Sequence, residues 1–323
     1  MKRVALLVLV TIIALITTIG CHRADYLIVE ETSITQPAPS PIVEPEPQAS
    51  PRQTPDPGIE DEQPEETEKF IVIGGVEYST SLTGLWLNDM GLTDEDIVPL
   101  QYMTSLTSLS MGIDYTGMNV YDDDYVGPNQ ISDLSPLSGL TDIISLSMDG
   151  NQISDLSPLS GLTNLHDLFL MGNKISDITP LSELTDLWQL HLQGNQISDL
   201  TALSGLANLY RVYLSNNQIS DLSPLVGDAN PEILSLANNQ ITDITALASL
   251  TNLRWLYLDG NQISDISALS ELAYLEGVSL RGNTISDLTQ FSGFTTLSWL
   301  DLEDNPITDW SPVEHIPGVG GRP

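Results

Sequence analysis

The sequence predicts an α/β repeat solenoid, with short parallel strands on one face and tight 3₁₀ or α turns on the other. Asparagines recur every 22 residues from Asn129 to Asn305. Leucines precede each asparagine at alternate positions, and a Ser or Thr followed by Pro or Ala comes shortly after it. The strings at 129–141 and 151–163 are identical. A unit repeated at a fixed period of this size is typical of solenoids.

The first 20 residues predict a secretory signal peptide. Lys2 and Arg3 are followed by an uncharged run that ends just before Cys21. The ending "TIGC" resembles the bacterial lipobox, which implies lipid attachment at Cys21 and anchoring at the outer face of the cell membrane. An ordinary signal peptide or a short uncleaved anchor is the alternative, although the run is shorter than the roughly 20 residues that span a bilayer.

Residues 21–69 predict a lipid-anchored, disordered linker. The segment is rich in Pro, Glu, Gln and Thr and has few large apolar side chains, so it cannot bury enough surface to fold. Alternating prolines favour extended polyproline II, which makes this segment a stalk.

The remaining chain is divided by its repeats. Residues 70–81 predict an N-terminal cap, 82–316 the repeat domain with an insertion at 112–128, and 317–323 a tail. We expect about ten parallel strands on the concave face. The leucines five and three residues before each asparagine point into the core, because strand side chains alternate. The asparagines are expected to pair with buried backbone groups at the turns.

The repeat, as in "LTNLHDLFLMGNKISDITPLSE" at 162–183, carries the leucine-rich-repeat signature. With "NQISDLSPL" and "LTNL", the 22-residue form closely resembles the internalin family of bacterial surface proteins across about residues 80–316. The resemblance implies a horseshoe or arc. The helical cap, immunoglobulin-like segment and "LPxTG" motif of internalins are not found in this sequence, so the resemblance implies a lipid-anchored protein with internalin-like repeats.

An aspartate four residues after each asparagine, followed by [ST]-[PA], predicts a turn. The carboxylate accepts hydrogen bonds from loop amides, the hydroxyl takes the N-cap, and Pro or Ala starts the helical turn. Calcium binding is the less favoured alternative. The insertion also carries Asp122, Asp123 and Asp124, a weak metal-site candidate beside the preferred interpretation of a solvated acidic loop. No cofactor is predicted.

Function is expected where the repeat leaves residue type free. These are positions −6, −4 and −2 from each asparagine, which face the concave side. Aromatic, Arg and Met side chains there predict a partner-binding surface. Its centre is expected to be one contiguous patch from Phe169 to Tyr257, flanked by Arg211 and Trp255. The alternative is that the rings stack on one another and stiffen the sheet. The candidate residues are Trp86, Phe169, Met171, His191, Arg211, Tyr213, Trp255, Tyr257, Arg281 and Trp299.

Charge and residue types narrow the function classes. With 44 acidic against 10 basic side chains, the chain carries a formal charge of −34, which excludes nucleic-acid binding and favours a basic partner or a divalent cation. His191 is isolated on the concave face apart from an expected polar pair with Asp167 one strand away, and no catalytic triad or phosphate loop is found.

We therefore expect a non-enzymatic, lipid-anchored cell-surface protein that binds a protein partner through its concave face. A carbohydrate-binding or cell-wall module is the alternative, with calcium dependence as a further variant of it.

Overall fold

The computed structural model describes residues 69–113, 128–227 and 230–322. The predictions for the signal peptide, Cys21, the linker up to residue 68 and the acidic residues Asp122 to Asp124 lie outside the described residues. Within the described ranges, no helix is long and apolar enough to cross a membrane.

The described residues contain thirteen short strands and one short α-helix. The helix is α1 (Asp94–Ile97). The strands are β1 (Phe70–Ile73), β2 (Val76–Ser79), β3 (Gly84–Trp86), β4 (Ser108–Ser110), β5 (Ser145–Ser147), β6 (Asp167–Phe169), β7 (Gln189–His191), β8 (Arg211–Tyr213), β9 (Ile233–Ser235), β10 (Trp255–Tyr257), β11 (Gly277–Ser279), β12 (Trp299–Asp301) and β13 (Gly318–Gly320).

Each coil returns through a short 3₁₀ turn opposite the strands. These turns are Val98–Tyr102, Ser135–Leu137, Ser157–Leu159, Thr179–Leu181, Thr201–Leu203, Ser223–Leu225, Thr245–Ser249, Ser267–Glu271, Thr289–Gly293 and Ser311–Val313. The predicted solenoid, with strands on one face and 3₁₀ turns on the other, is confirmed.

Strands β3 to β13 form one parallel sheet in chain order. The register keeps equivalent positions side by side, so that Phe169 pairs with His191 and His191 with Tyr213. The sheet has eleven strands, one more than the approximate count from sequence. The additional strand, β13, consists of "GVG" and lacks the leucine pattern on which that count depends.

An antiparallel hairpin of β1 and β2 precedes the sheet, where the sequence predicts an end cap. Its two-residue turn is Gly74 and Gly75, both in the left-handed region with φ of 55° and 81°. Ile73 is buried, and Ile71 and Tyr78 pack against the same core. The hairpin therefore covers apolar side chains at the N-terminal end of the solenoid.

The nine asparagines that recur every 22 residues, called the ladder asparagines below, form a continuous column along the solenoid. They pair with buried backbone groups, as predicted. The Nδ2 of Asn195 donates to the carbonyl oxygens of Leu170 and Leu192, both at 3.0 Å, and its Oδ1 accepts the N–H of Ile175 at 3.0 Å. Three buried backbone groups from two coils thus meet one side chain. Eight of the nine asparagines are buried and the ninth, Asn305, is half-buried.

The turn aspartates accept hydrogen bonds from the start of each 3₁₀ turn. The Oδ1 of Asp155 accepts the N–H of Ser157 at 2.8 Å, and eight further turns, all except Val98–Tyr102, show the same bond. The expected N-cap role of the Ser or Thr hydroxyl is wrong. Ser157 is the first residue of its turn, and the N–H groups of Leu159 and Ser160 that its hydroxyl could cap already donate to the carbonyl oxygens of Leu156 and Ser157.

Candidate functional site

The concave face carries two clusters of aromatic rings. Phe169, His191 and Tyr213 form the N-terminal aromatic cluster, with neighbouring centroids 4.6 and 4.4 Å apart and planes tilted by 44° and 36°. Trp255, Tyr257 and Trp299 form the C-terminal aromatic cluster, in which Trp299 lies 6.4 Å from Trp255 and 6.1 Å from Tyr257. All of these rings come from the first or third residue of a strand.

A gap separates the two clusters. Ser235 stands between Tyr213 and Tyr257 in the register. Its hydroxyl lies 2.6 Å from that of Ser215. The sequence predicts a single contiguous patch from Phe169 to Tyr257, but serine cannot carry a ring column across this strand. The patch is therefore divided in two.

His191 is buried, which corrects its expected role as an exposed contact residue. Its side chain is 3% exposed because Phe169 and Tyr213 enclose it. Burial, together with the nearby Arg211 charge, lowers the pKa of His191 to about 3, so the ring is neutral at physiological pH. Its Nε2 is buried without a hydrogen-bond partner among the described residues. His191 therefore packs between the two neighbouring rings, which is the role that the alternative of rings stacking to stiffen the sheet gives it.

The C-terminal aromatic cluster depends on a glycine. A Cβ built on Gly277 would collide with the six-membered ring of Trp255, so the indole lies across the bare backbone of β11. Trp255, Tyr257 and Trp299 remain half-buried, whereas Gly277 and Ser279 beneath them are buried. Small residues in β11 thus allow large rings from β10 and β12 to meet above it.

Carboxylates at position −2 connect neighbouring turns. Asp149 Oδ1 accepts the N–H of Met171 at 2.7 Å, and burial raises the pKa of Asp149 to about 7. Asp259 accepts the N–H of Arg281 at 3.1 Å and the hydroxyl of Ser279, and burial raises its pKa too. These side chains therefore have a structural task on the concave edge.

The other predicted contact residues lie outside the two clusters. Trp86 is 66% exposed on β3, near the N-terminal end of the sheet. Met171 is half-buried in the turn after β6. Arg281 forms ion pairs with Glu303 at 3.0 Å and Asp304 at 3.1 Å.

Sequence reasoning did not assign a third set of rings, the rim aromatic column of His166, Trp188 and Tyr210. His166 and Trp188 stack with centroids 5.4 Å apart, and Trp188 and Tyr210 with centroids 4.8 Å apart and planes within 4°. The Arg211 guanidinium lies 5.3 Å from the Trp188 ring. The available signal was an aromatic residue just before the strand in three successive repeats.

The expected polar pair of His191 and Asp167 does not form. Asp167 Oδ1 instead lies 3.1 Å from Nδ1 of His166, its neighbour in sequence. Across the described ranges, no group of three His, Cys, Asp or Glu side chains is arranged to hold a metal ion.

Comparison with known proteins agrees with this geometry. The family model "Leucine Rich repeats (2 copies)" matches residues 143–183, 189–227 and 232–273. A leucine-rich-repeat protein of Leptospira interrogans superposes with a TM-score of 0.56 at 21% identity, covering 65% of this chain and 58% of that one. The chain is a leucine-rich-repeat protein. The comparison with curated proteins gave no match.

Solved structures of an internalin and of a plant receptor are also similar to this leucine-rich-repeat protein. Internalin C2 of Listeria monocytogenes is 35% identical, over 59% of this chain and 74% of that one, with a TM-score of 0.48. The plant peptide hormone receptor RGFR1, solved in complex with RGF2, is 20% identical over 71% of this chain and 37% of that one, with a TM-score of 0.58. Proteins with this repeat are commonly protein-binding modules.

Proposed function

We propose that the chain is a non-enzymatic bacterial cell-surface protein that binds a protein partner through its concave face. The observation that carries the proposal is the pair of aromatic clusters on that face. Repeats elsewhere on the sheet place serine at the same positions, as in β4 and β5. The rings are thus additions to a fold that does not need them. The RGFR1 complex with RGF2 shows that the fold can hold a peptide.

The extent of the clusters favours a macromolecular partner. They reach from β6 to β12, and at about 4.8 Å per strand this is roughly 29 Å. A standard protein interface buries about 800 Å² on each side, a patch of similar width. A small ligand would contact only one cluster.

The packing of the rings favours tight contact at low entropic cost. Phe169 and Tyr213 lean on His191, and Trp255 lies on Gly277. Side chains already held in one rotamer lose little freedom on binding, whereas mobile ones lose about 0.5–1.5 kcal/mol each. The rigid sheet therefore presents the rings in a nearly bound geometry.

Affinity capture with paired variants tests the proposal. We expect F169A/Y213A and W255A/W299A each to lose a partner that the unaltered protein captures from bacterial or host surface extracts. The matched control is Y102A/Y274A, which also removes two large aromatic rings, from residues that are 63% and 60% exposed away from the clusters. Equal capture by all four proteins would contradict concave-face binding.

A glycan microarray separates the carbohydrate alternative. If glycan binding disappears in W255A/W299A and persists in Y102A/Y274A, the concave face binds a carbohydrate rather than a protein partner.

Anchoring at the outer face of the cell membrane through lipidated Cys21 belongs to the same proposal. It rests on the basic start, the apolar run and the "TIGC" ending. Membrane fractionation of C21S tests it: we expect the variant to leave the membrane fraction, and unchanged fractionation would contradict lipid anchoring.

A further inference from the structure

A groove of about 640 Å³ runs along the edge of the sheet where the strands begin. It lies beside the rim aromatic column and is lined by side chains seven and nine residues before the ladder asparagines, and by Thr107. The lining residues are Thr107, Asp142, Ile144, Asn164, His166, Asp186, Trp188 and Asn208. None of the ten predicted contact residues belongs to it, so it is separate from the concave face.

The polar lining of the groove presents hydrogen-bond acceptors. Asn164 and Asn208 each donate Nδ2 to a backbone carbonyl of the preceding repeat, at 2.9 and 3.0 Å. Thr107 likewise donates its hydroxyl to a carbonyl at 3.1 Å. One N–H of each amide and the hydroxyl proton of Thr107 are thus engaged, and the oxygens of these three side chains are left to accept. Asp142 and Asp186 are exposed and add two negative charges. This lining fits a donor-rich cation.

The apolar lining suits an aliphatic chain better than a sugar ring. Trp188 is stacked between His166 and Tyr210, so both faces of its indole are covered and its edge remains. Sugar recognition by stacking needs an open ring face. Ile144 is 48% exposed at the end of the column. An apolar floor below carboxylates matches the stem and head of a Lys or Arg side chain.

We propose that this groove binds an extended basic segment of a protein, with Lys or Arg heads at Asp142 and Asp186 and their stems along Ile144 and Trp188. Charge complementarity supports the occupant, since the whole chain carries −34.

The repeat spacing sets the pattern of that segment. Ring centroids at this edge are 5.4 and 4.8 Å apart, so the two carboxylates, two repeats apart, are about 10 Å from one another. A polyproline II chain advances about 9.3 Å in three residues and returns to the same side. The groove therefore selects basic residues at positions i and i+3.

Fluorescence anisotropy with two labelled peptides tests this pattern on the full chain. The spaced probe is Lys-Pro-Pro-Lys-Pro-Pro-Lys, and the clustered probe has the same composition with its three lysines adjacent. We expect the spaced probe to bind about five-fold more tightly, as expected for two exposed charge contacts. D142N/D186N should remove that preference.

Control variants separate the groove from the overall charge. E183Q/E271Q also removes two exposed negative charges, outside the groove, and should preserve the preference. Equal binding of the two probes, or an equal loss in both charge variants, would overturn the proposal. F169A/Y213A should leave peptide binding unchanged. A loss there would place the peptide on the concave face and overturn the groove, whatever the fate of the concave-face proposal.

Discussion

The ladder asparagines and the concave aromatic rings run along the same coils, and each residue stacks on its equivalent in the next repeat. They differ in how completely the fold determines them. Every asparagine amide in the column repeats the bonding of Asn195, with its donors and acceptor engaged by backbone. On the concave face, Nε2 of His191 and Oε1 of Gln193 are buried without a partner in the described part of the chain.

The difference shows at which positions of the repeat the residue type can vary and so be selected for binding. The backbone of each coil requires a side chain that donates twice and accepts once at the ladder position, and asparagine fits this need. No backbone group depends on the ring at position −4, where Phe, His, Tyr and Ser all occur. Invariant positions in the repeat therefore report structure, and variable ones are open to function.

Breaking the ladder should give the largest loss of stability. N195L removes one of the two amide donors to each of the carbonyls of Leu170 and Leu192, which Asn173 and Asn217 still bond, and leaves the N–H of Ile175 unpaired in the core. The unpaired N–H costs about 1–3 kcal/mol and each lost bond about 1 kcal/mol. We expect the free energy of unfolding in urea to fall by about 3 kcal/mol or more. Q196L, at the exposed neighbouring position, is the control and should change little. Similar losses in both would show that the ladder bonds contribute no special stability.

The pH dependence of stability should show the next largest effect, because His191 and Asp149 on the concave face contribute to it with opposite sign. The pKa of His191 is about 3 in the folded protein and about 6.5 when unfolded, so its stabilising contribution is lost as pH falls below 6.5. The pKa of Asp149 is about 7 when folded and about 3.9 when unfolded, so its contribution is lost as pH rises from 3.9 to 7. Between pH 7 and 5 each changes stability by about 2 kcal/mol, with opposite sign.

Single variants separate these two contributions. H191F keeps a ring between Phe169 and Tyr213 and removes the titrating group, so acidification from pH 7 to 5 should stabilise it. D149N keeps an oxygen for the N–H of Met171, and the same acidification should destabilise it. Urea unfolding at the two pH values measures both. Identical pH dependence in the two variants would show that burial shifts the pKa of neither His191 nor Asp149.

The sequence predicted the solenoid well because its determinants are local and repeated. Leucine alternation, the asparagine period and the turn residues each act within one coil or between neighbours, so a single repeat defines them all. The strand β13 was not counted, because its backbone pairs with β12 without the leucine pattern.

Much of the site could not be predicted from repeat position alone. Position −4 points to the concave side, but the burial of His191 depends on rings from two neighbouring repeats. The place of Trp255 depends on the absence of a side chain at Gly277. The edge groove arises from side-chain amides oriented by carbonyls of another coil. Such contacts form between repeats, so the sequence of a single repeat does not predict them.

Removing a turn aspartate should have the smallest effect. Asp199 is exposed, and its Oδ1 accepts the N–H and hydroxyl of Thr201 at 2.8 and 2.6 Å, bonds that lower its pKa. D199A should shift the urea midpoint far less than N195L, and D199N less still, because its amide oxygen can accept the same N–H. Since the pKa is lowered in the folded state, the advantage of wild type over D199N should fade as pH falls below about 3.9. Calcium and chelator should leave the melting temperature of both proteins unchanged; stabilisation of wild type alone by calcium would make the aspartate row a metal site.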